Sequence, residues 1–319
     1  MNLQLPINAP MNGRKFSDPE RTADGSPRAS VALSNPKTLW FNTGTLCNIA
    51  CQHCYIESSP TNDALVYLNV GEVEHYLDQL DERGWPVTEI GFTGGEPFMN
   101  PDMIGMTRAA LTRGYDVLIL TNAMQPMMRR RVKAGLVELN REFPGKMTLR
   151  VSLDHYARGP HDAERGEGSY SRSLEGMRWL RDQGIGMDVA GRIAWHQSEA
   201  EAREGFANLF DAEHFDIEAA DPAKTVLFPE MDIGADVPEI TTDCWNILGK
   251  SPESVMCASS RMVVKRRGAE RPVVLACTLI AYNEAFEMGE TLHDAEGEVA
   301  LNHPHCAKFC VLGGASCSA

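Results

Sequence analysis

Cysteines are the residues of this sequence best suited to chemistry, and three of the nine stand close together. Cys47, Cys51 and Cys54 lie in the stretch LCNIACQHCYIESSP. Soft thiolates of this kind select zinc, copper(I) or iron–sulfur clusters. A structural zinc site is closed by four ligands, whereas the candidate fourth ligand here, His53, stands between two of the cysteines. Three thiolates alone leave one position of a metal site open.

A second group of cysteines occurs toward the carboxyl terminus. Cys257 precedes a predicted β-hairpin that turns at Gly268, and Cys277 ends the second strand of that hairpin. Taken alone, this group could form a site like a zinc ribbon, and the nearby His303 and His305 keep zinc open as an alternative. Cys244 is expected to be a buried thiol. The remaining cysteines of the group are Cys306, Cys310 and Cys317.

Strand and helix patterns alternate around the first cysteines. After a short strand in RASVAL, a strand in TLWFNTG ends just before Cys47. Alternation of this kind implies right-handed βαβ units in an open layer or a partial barrel, and we predict a partial (β/α)6 TIM-like barrel with parallel strands. Its active site is expected at the carboxyl ends of the strands. The later strands are predicted in VTEIGFTGG, DVLILTN, KMTLRVSLD, GMDVAGRIAW and FDIEAA, with helices in the segments between them, QPMMRRRVKAGLVELNREF being one.

Composition divides the chain into three parts. Residues 1–27 are polar and predict a flexible arm, residues 28–221 the barrel, and residues 222–319 a small cysteine-rich module with a β-hairpin. A net charge of −14 argues against nucleic acid or an anionic membrane as the main partner. No apolar run approaches the roughly 20 residues of a membrane helix, and no signal pattern is present. We therefore expect a cytoplasmic protein, in which clustered thiols are metal ligands or catalytic groups.

The spacing CxxxCxxC followed by an aromatic residue, here Tyr55, resembles the signature of radical S-adenosylmethionine (SAM) enzymes. In that family three cysteines hold a [4Fe-4S] cluster, and the amino and carboxylate groups of SAM chelate the fourth iron. In FTGGEP, the residues Gly94, Gly95, Glu96 and Pro97 resemble the GGEP element that takes the SAM amino group. Glycines allow a close backbone approach, and a carboxylate can accept hydrogen bonds from an ammonium.

Further matches follow on later strands. Ser152 and Asp154 in RVSLD match positions that contact the ribose hydroxyls, and Asn122 ends the preceding strand at the same edge. The resemblance offers either Arg165 or Arg192 as the partner of the SAM carboxylate. The segment GPHDAERGEGSY resembles the HD..RG..GS[FY] segment of the sulfatase-maturase-like branch, although its carboxylates, Asp162 and Glu164, would alone be read as solvated loop residues. The resemblance covers residues 38 to about 220.

The carboxyl-terminal cysteines resemble the twitch or SPASM extension, which implies an auxiliary [4Fe-4S] cluster. Its expected ligands are Cys257, Cys277, Cys306 and Cys310, with Cys317 as an alternative or additional ligand. A full SPASM module ends CxxCx5CxxxC and holds two clusters, whereas this sequence reads CxxxCx6C. One auxiliary cluster is therefore expected.

The resemblance implies an oxidoreductase-type radical SAM enzyme. It would reductively cleave SAM to a 5'-deoxyadenosyl radical and abstract a hydrogen from a peptide or small polar metabolite, leading to oxidation, cross-linking or rearrangement. Its expected partner is a low-potential electron donor such as flavodoxin or ferredoxin. The alternative is a non-catalytic iron–sulfur or zinc protein in electron transfer or metal sensing, which would have no use for the GGEP and SLD segments.

Overall fold

The computed structural model describes residues 15–193, 197–229 and 236–313. A π-helical turn, Cys306–Leu312, lies at the end of the described chain. The strands are β1 (Ser30–Val31), β2 (Thr38–Asn42), β3 (Glu89–Thr93), β4 (Asp116–Thr121), β5 (Met147–Ser152), β6 (Gly186–Ile193), β7 (Thr225–Pro229), β8 (Ser260–Val264), β9 (Val273–Leu275), β10 (Glu287–Gly289) and β11 (Val299–Ala300). The α-helices are α1 (Val70–Arg83), α2 (Met103–Thr112), α3 (Gln125–Met128), α4 (Arg130–Glu142), α5 (Arg158–Arg165), α6 (Ser169–Asp182), α7 (Glu199–Glu213) and α8 (Cys244–Leu248).

Nine of the strands form one sheet in the order β10-β9-β8-β2-β3-β4-β5-β6-β7. Each strand from β2 to β6 pairs in parallel with the strand that follows it in the chain, so β2 to β7 form six parallel strands. At least one α-helix lies in each connection between these strands. This arrangement confirms the predicted partial barrel. Because parallel strands point the same way, the segments that follow them meet at one edge of the sheet.

Burial on both faces explains the long apolar runs of the strands. Every residue of β2 is buried. Leu39 and Phe41 pack in the cluster under the helices, whereas Trp40 packs with Leu118 and Met262 in a second cluster. Alternate side chains of a strand point to opposite faces, so β2 contributes to both cores.

The sixth parallel strand is not where the sequence predicts it. FDIEAA, residues 215–220, forms no strand, and β7 lies beyond it in TVLFP. Asp216 and Glu218 alternate with apolar residues, which is the pattern of a strand with one exposed face. The sixth strand of the barrel is largely buried, and the apolar segment TVLFP forms it instead. β7 therefore belongs to the barrel sheet although it follows the predicted boundary at residue 221.

The predicted hairpin is confirmed and extends the barrel sheet. β8 and β9 are antiparallel, and Gly268 in their connection has a φ of 83°. β8 also pairs in parallel with β2, so the cysteine-rich region shares a sheet with the barrel. The division of the chain at residue 221 stays a prediction.

The described part of the predicted flexible arm is docked. The backbone N–H groups of Phe16 and Ala23 both donate to the carboxylate of Glu239, and Arg28 forms a buried ion pair with the same carboxylate. Residues 15–27 thus contact a buried carboxylate that lies far away in the sequence, and the flexible arm over residues 1–27 stays a prediction. Residues 1–14 are outside the described residues.

Candidate active site

A cavity opens at the carboxyl ends of the barrel strands. It encloses about 1110 Å³ of empty space, counted with its open mouth. Ligand pockets span roughly 300–1,000 Å³, so the space suits a small-molecule cofactor and part of a substrate. Many of the predicted site residues line it: Cys47, Cys51, Cys54, Tyr55, Gly94, Gly95, Asn122, Ser152, Asp154, Arg165 and Arg192.

The three cysteines lie in the loop that follows β2. The Cys47 N–H donates to the Ser59 carbonyl at 3.0 Å, and the Ser58 N–H donates to the Cys54 thiol at 3.3 Å. Burial raises the pKa of Cys47 to about 12 and that of Cys51 to about 11. Thiols in such surroundings stay protonated unless a metal takes the place of the proton.

The donor set fits a cluster better than a single ion. Within residues 15–193, 197–229 and 236–313, no three His, Cys, Asp or Glu side chains are close enough together to hold one metal ion. In a four-iron cluster each thiolate binds a different iron, so the ligands lie farther apart than around one ion. Three soft donors on one cavity wall therefore match the group that the sequence implies.

Two glycines allow the end of β3 to approach the cysteine loop. A Cβ on Gly95 would lie 2.3 Å from the Leu46 carbonyl oxygen, and one on Gly94 would lie 2.5 Å from the Gly44 carbonyl oxygen. Gly94 also has a φ of 145°, which L side chains rarely adopt. Both contacts are with backbone, which cannot move aside as a flexible side chain would. Glycine is therefore needed at both positions.

The Glu96 carboxylate is held by groups at the end of β4. Its carboxylate is buried and accepts hydrogen bonds from the Thr121 hydroxyl and from the Asn122 N–H, both at 2.8 Å. Burial raises the pKa of Glu96 to about 7. Neither Glu96 nor Pro97 is among the residues that line the cavity. Glu96 thus joins the ends of β3 and β4, and its contact with the SAM amino group stays a prediction.

Asp154 lies between the two arginines that the sequence left as alternatives. Its carboxylate accepts from the Arg165 Nε at 2.6 Å and from the Arg192 Nε at 3.3 Å. Burial by itself would raise the pKa of Asp154, but the charges of Arg165 and Arg192 outweigh it and lower the pKa below its usual value. Arg192 also stacks on the Tyr55 ring, 4.4 Å from its centroid, and donates to the His53 carbonyl. Both arginines therefore belong to the site.

Glu164 is a site residue that the sequence reasoning missed. It lies on α5, in a segment predicted as a loop, and its carboxylate is buried. The carboxylate accepts from the His53 N–H at 2.7 Å and pairs with the His53 Nδ1 at 2.8 Å, while its backbone carbonyl accepts from Gln52 N–H at 2.8 Å. The helical spacing of His161, Glu164 and Arg165 was the available signal, since residues three and four apart share a helix face.

A second cavity gathers four of the carboxyl-terminal cysteines. It encloses about 380 Å³ of empty space, and His305 also lines it. Cys244 is not among the lining residues and contacts Thr241 instead. It is half-buried, so the expectation of a buried thiol is wrong, because its short helix α8 has no buried residue. Cys317 lies outside the described residues. The cysteines on this cavity are Cys257, Cys277, Cys306 and Cys310, the four first expected to bind an auxiliary cluster.

The chemistry of this second cavity is that of neutral, buried ligands. Burial raises the pKa of Cys257 to about 11 and lowers that of His305 to about 4. The turn of π-helix at Cys306–Leu312 places two of the thiols on one segment. Four thiols on one small apolar cavity fit a cluster ligand set, and the role of these residues as ligands stays a proposal.

The two cavities share a wall. Leu279 lines both of them. Tyr55, which follows Cys54, packs edge-on against Phe309, which stands between the two cysteines of the π-helical turn; the ring centroids are 6.4 Å apart. Phe228 packs against both rings. Any group held in the second cavity is therefore one layer of side chains from the first.

A partial parallel barrel with three loop thiols and a glycine-bordered pocket defines a class of protein, the cluster-binding barrels that use SAM. Residues 41–194 match the family model described as the Radical SAM superfamily. The chain therefore carries a domain of this superfamily, as the sequence predicts. Membership implies a [4Fe-4S] cluster and SAM as cofactors, and the thiols and the pocket described above fit them.

Several known proteins are similar to this chain. The antilisterial bacteriocin subtilosin biosynthesis protein AlbA of Bacillus subtilis (strain 168) is 32% identical over 145 residues, which is 45% of this chain and 30% of AlbA. An AdoMet-dependent heme synthase of Nitratidesulfovibrio vulgaris is 28% identical over 178 residues, 54% of this chain and 42% of the relative. The chain thus spans less than half the length of these relatives. Their names describe biosynthetic proteins and enzymes, in agreement with the expectation of an enzyme.

A solved structure has the same fold. Streptococcus suis SuiB bound to S-adenosylmethionine superposes with a TM-score of 0.58 at 13% identity, over 80% of this chain and 63% of SuiB. SuiB has also been solved bound to its precursor peptide SuiA. At this identity the likeness establishes the fold alone. Among the residues that the structure describes here, no helix has the length and apolar character needed to cross a membrane.

Proposed function

We propose that this chain is a radical SAM enzyme that abstracts a hydrogen atom from a peptide or small-molecule substrate. The observation that carries the proposal is the meeting of Cys47, Cys51 and Cys54 with Gly94 and Gly95 on one cavity. When bound there, the cluster and SAM supply one-electron cleavage of SAM and a radical able to take a hydrogen atom, which side chains alone cannot provide.

The residues of the chain would hold and shield these groups. The three thiols hold the cluster, and the two glycines leave room for the backbone beside it. Asp154 fixes both arginines at the cavity wall, so that Arg165 and Arg192 present cationic groups to the carboxylate of SAM. Ser152 and Asn122 add polar groups at the same edge. Tyr55 and the aromatic rings behind it exclude water from the side that faces the second cavity.

A peptide is the better supported substrate class. The cavity wall beyond the polar residues is apolar and includes Trp40, Leu120, Phe228 and Leu279. Such a wall suits an aliphatic or aromatic side chain better than a small polar metabolite. The name of AlbA describes bacteriocin biosynthesis, and SuiB has been solved bound to its precursor peptide SuiA, which supports a peptide here.

The second cavity is proposed to hold one auxiliary [4Fe-4S] cluster. Its four thiols and its shared wall with the first cavity support this role. Reconstituted protein is expected to contain about eight irons per chain, and Cys277→Ala to contain about four. About four irons together with one zinc in the wild-type protein would contradict the auxiliary cluster and favour zinc on the same cysteines.

Formation of 5'-deoxyadenosine tests the enzyme proposal. Anaerobically reconstituted protein with excess dithionite is expected to convert SAM to 5'-deoxyadenosine, and Cys51→Ala is expected to abolish the conversion. Cys244→Ala, which removes a thiol away from both cavities, is the matched control and should retain it. Wild-type protein that holds iron but forms no 5'-deoxyadenosine would instead support a non-catalytic iron–sulfur protein.

A further inference from the structure

Three consecutive arginines form an unusual patch at the start of α4. Arg129, Arg130 and Arg131, called here the arginine patch, are all exposed. Within the described parts of the chain none of the three takes part in an ion pair, whereas Arg108 and Arg178 on the flanking helices are paired with glutamates. The patch also stands out against a net charge of −14 for the whole chain. Unpaired positive charge is thus concentrated at one place.

The position of the patch is unfavourable for the helix itself. A helix amino terminus carries partial positive charge and favours acidic side chains. α1 and α7 follow this rule, with Glu72 in the first turn of one and Glu199 and Glu201 in that of the other. α4 has no acidic residue in its first turn. Basic residues at a helix amino terminus, with no ion pair to compensate for them, are typical of a functional surface.

Backbone geometry keeps the patch at this position. α3 and α4, predicted as one helix, are separated at Arg129, whose φ of −61° and ψ of 139° are extended. Arg129 is therefore the N-cap residue of α4 and has no side-chain capping bond. The break brings the three arginines to the amino-terminal end of α4, on the side of the barrel where β4 ends.

The segment that leads from β4 to the patch contacts the cysteine loop. The Asn48 side chain, next to Cys47, donates to the Met124 sulfur at 4.0 Å and accepts from Asn122 Nδ2 at 2.9 Å. Met124 leads directly into α3 and hence to the patch. On the other side, the Tyr67 ring packs against Gly44, and the charge of Arg129 opposes the rise that burial causes in the Tyr67 pKa. The segment before the patch thus touches the loop that carries the cluster ligands, and the charge of Arg129 acts on Tyr67, which packs near the start of that loop.

We propose that the arginine patch is the docking surface for an acidic one-electron carrier protein that reduces the first cluster. This inference rests on the proposed function, which needs one electron for each SAM cleaved. The carrier would lose one electron and be oxidised, and Cys47, Cys51 and Cys54 would hold the cluster that takes up this electron. Complementary charge steers such encounters and raises their association rate.

Other anionic occupants fit the surface less well. None of the three arginines lines the cavity, so an acidic substrate bound at the patch would not be placed at the reacting groups. Nucleic acid would be repelled by the strongly negative remainder of the chain. An electron carrier needs only to approach the cysteine loop, where Gln52 and His53 are exposed.

A charge reversal that spares the fold tests the docking surface. In Arg130→Glu with Arg131→Glu, two carboxylates enter the first turn of α4, where the helix dipole favours them, so folding is expected to be kept. The matched control is Arg267→Glu with Arg271→Glu, whose side chains are 70% and 76% exposed in a hairpin connection away from α4. Both variants change the net charge equally.

Two quantities are measured. One is the affinity of the protein for oxidised flavodoxin, the acidic probe carrier, at low salt; it is expected to fall on the order of tenfold in the α4 variant only, and an unchanged affinity would overturn the docking surface. The other is the rate of 5'-deoxyadenosine formation with reduced flavodoxin or with excess dithionite. With flavodoxin at low salt, the α4 variant is expected to lose on the order of tenfold or more in rate and most of its salt dependence, while the control keeps the wild-type rate. With dithionite, all three proteins are expected to react equally.

Other results of the assay distinguish a failure of the docking surface from a failure of the proposed function. An unchanged flavodoxin rate in the α4 variant, or an equal loss in the control, would overturn the docking surface. An equal loss with dithionite would overturn it too and would place the arginines with the substrate or the fold. No product from the wild-type protein with dithionite would instead refute the proposed function, which separates the two claims.

Discussion

Removal of the Glu164 carboxylate should loosen the cysteine loop. In Glu164→Ala, the His53 N–H loses its acceptor at 2.7 Å, and the His53 ring loses its partner at 2.8 Å. A hydrogen bond to a charged group contributes about 1.5–3 kcal/mol. The His53 side chain is 49% exposed, so the ring contact counts for little beside the backbone bond. The expected total is about 2–3 kcal/mol.

The cost should fall mainly on the segment between Cys51 and Cys54. A local change of about 2 kcal/mol shifts an opening equilibrium about 30-fold, so iron should pass to a chelator about 30-fold faster. Urea unfolding of the apoprotein should show the same loss of stability. Glu164→Gln keeps one acceptor oxygen for the His53 N–H and is expected to lose about half as much.

Glu167 offers a matched control, since it is an exposed carboxylate just beyond the end of α5. Glu167→Ala should leave both the unfolding free energy and the rate of iron release unchanged. If Glu164→Ala behaves like Glu167→Ala in both assays, the contacts with His53 have no energetic role and the expected loosening of the cysteine loop is wrong.

Two further substitutions test other parts of the account. Gly95→Ala should prevent assembly of the first cluster, because the new Cβ would lie 2.3 Å from the Leu46 carbonyl oxygen. In the control Gly159→Ala the new Cβ has no neighbour within 4 Å, so this variant should assemble the cluster normally. The iron content of the two proteins is measured, and a full iron content in Gly95→Ala would contradict the close packing at Gly95. His161→Phe should remove a pH dependence of stability. Burial, together with the charge of Arg165, lowers the His161 pKa from 6.5 to about 4. Between pH 6.5 and about 4 the histidine is protonated in the unfolded chain and neutral in the folded chain. The free energy of unfolding therefore falls by about 3 kcal/mol as the pH drops through this range. Urea unfolding at several pH values checks this, and equal slopes for both proteins would show that His161 does not contribute.

Short motifs with fixed chemistry could be predicted from the sequence. The spacing of Cys47, Cys51 and Cys54 was enough to predict a cluster site. The lack of a side chain at Gly94 and Gly95 was enough to predict a close approach of the backbone. The structure places all five on one cavity. The alternation of strands and helices predicted the parallel sheet because period and burial are local properties of the chain.

What escaped prediction depends on contacts between distant segments. Glu164 looks like a solvated carboxylate until α5 brings it to His53, 111 residues away. The choice between Arg165 and Arg192 has no local answer, since both reach Asp154 from different elements. β7 was missed because a weakly alternating segment precedes it and its burial is set by the neighbouring β6.

The grouping of the cysteines at the second cavity also depends on contacts between distant segments. Spacing could propose Cys257, Cys277, Cys306 and Cys310 as one set. The pairing of β8 with β9 brings the segments of Cys257 and Cys277 together, and the π-helical turn brings Cys306 and Cys310 to the same cavity. The shared wall at Leu279 could not be expected from sequence, because it depends on how the hairpin extends the barrel sheet.

The central claim is that three thiols hold a cluster whose open iron takes SAM. The most direct measurement is the electron paramagnetic resonance of the reduced protein with SAM labelled with ¹⁵N at its amino group, in Cys277→Ala so that the first cluster is observed alone. SAM is expected to change the cluster signal, and the ¹⁵N nucleus is expected to couple to it. A cluster signal that SAM leaves unchanged, with no ¹⁵N coupling, would contradict the binding of SAM at the open iron.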